Sequence, residues 1–370
     1  MVQQGRRTGH VERRGGELDA PVRRRPVSKL VIGANGFLGS HVARLLVADG
    51  HDVRAMVRPN ANTTGIDDLA VERFHGDIWD DDTLRAAMTG VDDVYYCVVD
   101  TRGWLKDPAP LFHTNVDGTR NVLEIAKDMN LHRFVYTSSY VTVGRRRGHV
   151  ATEDDAIVDG GEMSPTFRLR GLTPYVRSRV QAETLVLQYA REHGLPAVAM
   201  CVSTTYGSGD WGRTPHGAII AGAAFGKLPF VMGGIELEAV GVDDAARAMI
   251  LAAERGRVDE RYLISEKMIS NAEVVRIAAE AAGMPAPTKS IPLPVSYAMA
   301  TLGSVKARLT GTDEKLSLES LRLMRAEAPV DCSKARRELG WAPRPVEESI
   351  QEAAQFWAAL RDARRKSKAG

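Results

Sequence analysis

The apolar and polar positions of this chain follow two periods in turn. Lys29 to Ala34 (KLVIGA) is an apolar run ending in glycine; after the turn Asn35-Gly36-Phe37-Leu38-Gly39, an amphipathic stretch continues to Asp49. A short run of this kind bounded by turn residues predicts a buried strand, and the stretch after it predicts a helix. Gly50 stops that helix, and His51 to Val57, Val71 to His75 and Val91 to Val99 read as three more strands, with a helix over Asp80 to Met88. Strands alternating with helices predict a doubly wound parallel sheet whose ligand sits at the carboxyl ends of its strands.

Further along, Leu111, Asn115, Gly118, Val122, Ile125 and Met129 recur at spacings of three and four, the seam of a helix facing the sheet. Asn115 therefore lies on a buried face and needs partners for its amide. A strand over His132 to Thr137 runs into Ser138-Ser139-Tyr140, and after a polar, irregular stretch Thr173-Pro174 marks a helix start by N-cap and first-turn proline. Tyr175 and Arg179 then share one face of that helix. Pro196 to Val202 is a sixth strand, after which no simple βα repeat is visible. Gly217 to Met232 is an apolar run with only Lys227 charged. Val295 to Val305 is shorter than the roughly 20 residues of a bilayer span, so it reads as a packed or interfacial helix.

Composition adds limits. With 370 residues, 44% hydrophobic and 26% charged, the chain can bury a sizeable core and is neither disordered nor a disulfide-stapled peptide. Cys97, Cys201 and Cys332 lie far apart without C-x-x-C spacing, and His113, His149 and His216 are scattered, so neither a disulfide framework nor a metal is expected. The formal charge of +2 conceals a segregation. Residues 1–27 hold seven arginines against three acids, residues 361–370 hold five Lys/Arg against Asp362, and each end is thus +4, leaving about −6 on residues 28–360. An acidic body disfavours nucleic acid as a partner. No apolar stretch follows the basic start, so no export signal is read, and a cytoplasmic protein without a membrane partner is expected.

Gly33, Gly36 and Gly39 form G-x-x-G-x-x-G after the first strand, where missing side chains let backbone N–H groups approach a pyrophosphate and let helix pack on strand. At the end of the second strand a free ribose 2′-hydroxyl would meet an acid, whereas this chain offers Arg58, with Asp67 and Asp68 only later. NADP(H) is therefore favoured, with NAD(H) the alternative. Asp77-Ile78 follows the third strand where an adenine edge could lie; the competing reading is a helix cap by Asp77 or Asp80. A phenol beside a fixed cation can trade a proton with an alcohol or ketone oxygen, and a nearby serine can hold that oxygen.

Seven motifs in order, GANGFLG (33–39), NVDGTRNVLEIA (115–126), RFVYTSS (133–139), TPYVRSR (173–179), STTYGSGDWG (203–212), GVDDAARA (241–248) and KARRELGWAPRPVEESI (334–350), make the chain resemble the extended short-chain dehydrogenases/reductases. The likeness is to the epimerase/dehydratase group, and especially to dihydroflavonol-reductase-like and 3β-hydroxysteroid-dehydrogenase-like members.

The resemblance implies an α/β Rossmann-type doubly wound sheet with a smaller C-terminal substrate lobe. A basic extension (1–27) would precede a dinucleotide domain (28–202, its sheet completed around 235–264). The lobe would take 203–234 and 265–358, and a basic tail 359–370. It implies Tyr175 as general acid/base, Ser139 orienting the substrate oxygen, Asn115 supporting the geometry, and the cation at 179 on the nicotinamide ribose. Cofactor contacts are implied for Gly33, Asn35, Gly36, Phe37, Leu38, Gly39, Arg58, Asp77, Ile78, Val98, Tyr175, Arg179, Val202 and Thr205. The family has lysine where this chain has Arg179, which keeps the charge but loses any proton relay.

Sugar-nucleotide members often carry asparagine at the position of Cys201 and arginine near Leu237-Glu238, and neither is present. With the apolar runs, this favours a fairly hydrophobic alcohol or ketone as the small-molecule substrate. The alternatives are a nucleotide-sugar epimerase/dehydratase with bound NAD, or a catalytically impaired NADP-sensing protein. Asp210-Trp211 is a candidate substrate contact, balanced against a turn with a packed indole. A homodimer through the Asn115 and Tyr175 helices is a further expectation from the resemblance.

Overall fold

The computed structural model describes Met1 and residues 28–143, 148–155, 172–324 and 329–369. The expected N-terminal extension therefore lies, apart from Met1, outside the described residues.

In chain order the first half comprises β1 (Ser28–Ile32), α1 (Phe37–Ala48), β2 (Asp52–Val57), β3 (Glu72–His75), α2 (Asp81–Met88), β4 (Asp93–Tyr96), α3 (Ala109–Phe112), α4 (Gly118–Ala126), β5 (Arg133–Ser139), α5 (Pro174–His193) and β6 (Ala197–Val202). The second half comprises β7 (Thr204–Tyr206), α6 (Pro215–Ala224), β8 (Val231–Met232), β9 (Glu236–Gly241), α7 (Val242–Arg255), β10 (Glu260–Ile264), β11 (Lys267–Ser270), α8 (Asn271–Ala281), β12 (Ser290–Ile291), α9 (Leu293–Thr310), α10 (Leu318–Met324), α11 (Ser333–Leu339) and α12 (Val346–Ala369).

Seven parallel strands form the main sheet in the order β10-β6-β5-β4-β1-β2-β3. Its inner strands, such as β4, β5 and β6, are buried on both faces because helices cover both, whereas the edge strand β3 is largely exposed. Val31, Ala55, Tyr95, Val135 and Val198 pack towards α1 and α7, whereas Leu30, Ile32, Met56, Tyr96, Phe134 and Tyr136 pack towards α2, α4 and α5. The chain order reverses between β1 and β4, and that switch point opens a crevice at the carboxyl ends of the strands.

β10 alone completes the sheet. β9, expected to help complete it, instead joins β7 and β11 in a separate three-stranded sheet, because the chain passes out over the strand ends after β6. That small sheet, β8, α6, α8 and α12 enclose a second core around Ile220, Leu237, Val274, Ile350 and Trp357. The stretch 359–370 is not a separate tail: α12 continues to Ala369, and Arg361 on it donates to the Ala224 carbonyl at 2.7 Å. Among the described residues, no helix is long and apolar enough to cross a membrane.

Candidate functional site

The glycine turn sits at the switch point. Gly33 ends β1 in the left-handed region (φ 81°), and a Cβ there would touch Val98 and the Cys97 backbone at the end of β4. A Cβ on Gly39 would collide with the Gly33 carbonyl, so only glycine lets α1 start this close to the strand. The backbone at the start of α1 is thereby exposed to an anion, and Gly36 caps the helix without using a side chain. Phe37 and Leu38 form the first turn. Asn35 donates to the Asn62 carbonyl at 3.3 Å, drawing the loop after β2 beside the turn.

Arg58 stands exposed at the end of β2. The acids that could compete for a ribose hydroxyl are occupied elsewhere: Asp68 accepts from Arg44 at 2.7 Å and 2.9 Å, and Asp67 pairs with Arg73 at 2.9 Å. The Arg44 fork holds the Asp68 carboxyl below its ordinary range. Arg54 reaches Glu72 and the carbonyls of Ala87 and Thr89, a structural role. Asp77 accepts from the Trp79 amide at 3.3 Å, Asp80 caps α2, and buried Ile78 packs where a Cβ on Gly118 would come within 2.6 Å.

The second group of residues lies along β5 and α5. Thr173 accepts from the Val176 amide and Pro174 opens α5, which sets Tyr175, Arg179 and Glu183 one turn apart along the helix. Tyr175 is partly exposed, and while its carbonyl accepts from Ser178 Oγ at 2.8 Å, its hydroxyl makes no hydrogen bond among the described residues. A Cβ on Gly103 would meet Tyr175 Cβ at 3.4 Å and Leu323 at 3.0 Å, so Gly103 lies between the base of the Tyr175 side chain and Leu323. Ser139, the last residue of β5, is partly exposed and caps only the Val141 amide, at 3.5 Å.

Arg179 is buried to 1% exposure. It donates to the Thr137 carbonyl and lies over the Tyr136 ring, 5.4 Å from its centroid, while Nε and Nη1 have no hydrogen-bond partner among the described residues. Burial pushes the Tyr136 phenol up, against the pull of the Arg179 charge. Asn115 occupies a π-helical turn, His113–Asp117, between α3 and α4. Its Oδ1 accepts from the Asp100 amide at 2.8 Å, and its Nδ2 donates to the Asp100 carbonyl at 3.0 Å and to Ser178 Oγ at 3.1 Å. Asn115 thus ties the β4 loop to α5.

Glu183 was invisible to the motif reading. It is fully buried and accepts from Ser138 Oγ, from Thr142 Oγ1 at 2.9 Å and from Cys201 Sγ at 3.1 Å, and it pairs with Arg261 of β10. Burial pushes the Arg261 guanidinium down to about 10 and the Cys201 thiol up to about 12. Ser138 is thereby engaged below the sheet end and Ser139 is left for a ligand. The sequence signal was a third polar residue at the Tyr175–Arg179 spacing.

The loop after β7 closes on the glycine turn through His41, whose Nδ1 meets Asp243 at 2.6 Å and whose Nε2 meets the Ser208 carbonyl at 3.0 Å. That hydrogen bond to His41 lowers the Asp243 carboxyl. Val202 ends β6 and Thr205 lies in β7, both at the strand ends bordering the crevice.

Two alternatives that the sequence left open resolve to packing. Asp210 is buried and accepts from the Thr214 amide and hydroxyl, bracing the start of α6, while Trp211 packs edge-on against Phe356 at 4.9 Å, so this is the turn with a packed indole. Within the 217–232 run, Ile220 and Phe225 pack in the core of the lobe, as do Leu237 and Ala239 of β9, because α8 and α12 cover them. Among the described residues no cluster of His, Cys, Asp and Glu could hold a metal ion.

A glycine cradle that a Cβ would fill, together with a buried guanidinium whose Nε and Nη1 are unpartnered among the described residues, fits a nicotinamide dinucleotide. Fold and site together define an α/β protein of the dinucleotide-binding, doubly wound class. The chain belongs to the NAD-dependent epimerase/dehydratase family, whose model matches residues 29–265, and so to the extended short-chain dehydrogenases/reductases. A putative dihydroflavonol 4-reductase of Synechocystis sp. is 29% identical over 332 residues, 88% of this chain and 93% of that protein. Sterol demethylase protein B of Methylococcus capsulatus is 28% identical over 335 residues, 90% of this chain and 98% of its own. The crystal structure of gox2253 superposes with a TM-score of 0.77 at 31% identity, covering 90% of this chain and 98% of that one.

Proposed function

We propose that this protein is an NADPH-dependent oxidoreductase that interconverts a secondary alcohol and a ketone on a fairly hydrophobic small molecule. The observation that carries the reading is a buried cation, Arg179, with Nε and Nη1 unpartnered among the described residues, one helical turn after partly exposed Tyr175 and bonded to the Thr137 carbonyl of β5, the strand that ends in partly exposed Ser139. Bound at the glycine turn, the nicotinamide would supply or accept the hydride. In the reductive direction Tyr175 Oη gives its proton to the carbonyl oxygen, and Ser139 Oγ donates a hydrogen bond to the same oxygen. Arg179 holds positive charge beneath the site through Tyr136 and the Thr137 carbonyl, with Nε and Nη1 to offer to the ribose. Asn115 and Glu183 fix the two elements that carry these groups.

Against a sugar-nucleotide substrate stands the inner face of β9. Glu238 is buried, accepting from Ser265 at 2.5 Å and from the Val330 amide at 3.1 Å, where a diphosphate would need a cation. The names of the Synechocystis and Methylococcus relatives, a flavonoid reductase and a sterol-modifying protein, support an apolar ring-bearing substrate. A second reading, a cofactor-binding protein with impaired turnover, is favoured by one observation only: Arg179 is already engaged by β5.

Titration of NADPH and NADH by nicotinamide fluorescence tests the cofactor. NADPH binds at least about tenfold more tightly, and Arg58→Ala removes that difference, about 1.4 kcal/mol, without changing NADH affinity. An NADH preference that Arg58→Ala leaves unchanged contradicts the assignment. Homodimerisation through α4 and α5 is part of the proposal and is read by sedimentation.

A further inference from the structure

α9 is held to the protein by one face only. Ser296 and Ala300 are buried, Ala300 packs with Ile235 and Leu321, and Ser304 Oγ accepts from the Leu318 amide at 2.9 Å. The opposite face is apolar as well. Val295, Leu302, Val305 and Leu309, 47%, 70%, 46% and 82% exposed, recur with Ala298 at spacings of three and four, which puts them in one stripe. The helix and its approach are basic: between Glu280 and Asp313 the chain holds Lys289, Lys306 and Arg308 and no carboxylate. Lys306 pairs with Glu314, whereas exposed Lys289 and Arg308 make no ion pair among the described residues.

From this arrangement we propose that α9 docks on an anionic lipid surface, lying in the interface with Val295, Leu302, Val305 and Leu309 in the acyl boundary and Lys289 and Arg308 against headgroup phosphates. A second copy of the chain fits the stripe less well. Fourteen helical residues at 1.5 Å each make a strip about 20 Å long and 10 Å wide, or ~200 Å² per copy, against ~800 Å² per partner in a stable interface. Two copies would also present cations to each other with no acid to answer them. The helix lies on the surface without crossing it, which agrees with the absence of any spanning helix among the described residues.

The position of the stripe gives the docking a use. α9 packs on α10, and Leu323 of α10 borders Tyr175 through Gly103. If the reading of the previous subsection holds, a hydrophobic substrate dissolved in the bilayer would reach the site under this helix pair. The docking itself does not depend on that reading, and its test uses no turnover.

The test is co-sedimentation of the full chain with vesicles of phosphatidylcholine alone or mixed with phosphatidylglycerol. Wild type binds the anionic vesicles, releases them as salt rises, and binds neutral vesicles at least about fivefold less. The double variant Leu302→Glu/Leu309→Glu, and Leu309→Glu alone, lower binding to the anionic vesicles at least about fivefold while circular dichroism stays unchanged, since both side chains are exposed. Three results overturn the proposal. One is no binding by wild type. Another is binding that the variants leave intact, which would assign it to the basic chain ends. The last is a wild-type dimer that the variants dissociate, which would assign the stripe to a second copy.

Discussion

Arg179 is the residue on which the chemistry turns. Family likeness supplied the expectation of a cation on the ribose, but only the structure places its guanidinium on the Tyr136 ring and the Thr137 carbonyl. A lysine could reach one of those partners but not both, so Arg179→Lys should change turnover by less than about tenfold, or 1.4 kcal/mol. A gain of several hundredfold in kcat would contradict competent substitution by arginine. His216 carries a second prediction. Its Nδ1 is enclosed without a partner among the described residues, and burial pushes the imidazole down to about 4. Between the unfolded value near 6.5 and about 4, the unfolded chain binds the extra proton, so stability is full above that window and falls as pH is lowered through it. The residue as a whole keeps some exposure, so the loss should be about 1–2 kcal/mol. His216→Phe should abolish it in urea denaturation at stepped pH. Asp210, which burial pushes up, has the opposite sign, so the difference between wild type and variant is the quantity to read.

Elements were more legible than contacts. Apolar runs marked the inner strands β1, β4, β5 and β6, since a parallel strand buried on both faces leaves that signature, whereas β10 was not marked as a strand of its own. Thr173-Pro174 gave the start of α5, because cap chemistry is local. What a single chain does not display is which faces meet. Asn115 was legible as a buried amide, but its bonds to Asp100 and Ser178 were not, and Glu183 looked like an ordinary helical acid. The apolar run 217–232 could be read as core or as substrate surface, and Ile220 and Phe225 are core because α8 and α12, far along the chain, cover them. Glu183 and Arg261 join α5 to β10 across β5 and β6. Glu183→Leu should therefore cost about 3–5 kcal/mol by leaving Arg261 buried and unpaired, and Glu183→Leu/Arg261→Met should recover most of the loss in chemical denaturation. Additive losses would show that the pair is not one unit.

At the scale of the whole molecule, the proposed function draws on three groups that lie far apart in sequence: the glycine turn after β1, Ser139 and Tyr175 on β5 and α5, and Leu323 of α10. His41, on the helix that follows the glycine turn, holds Asp243 and the loop at Ser208 against that helix, so the two segments form one wall. The central claim is that this wall supports net hydride transfer with Tyr175 as the proton donor. Its most direct test follows deuterium from NADPH labelled at the nicotinamide C4 into a hydrophobic cyclic ketone, with wild type and Tyr175→Phe compared at equal NADPH saturation. The account predicts one deuterium on the carbinol carbon for each NADPH consumed, and a rate at least about 100-fold lower in the variant with NADPH affinity unchanged. Tightly retained NAD with no net NADPH consumption across a broad ketone panel, or an undiminished rate in Tyr175→Phe, would contradict it.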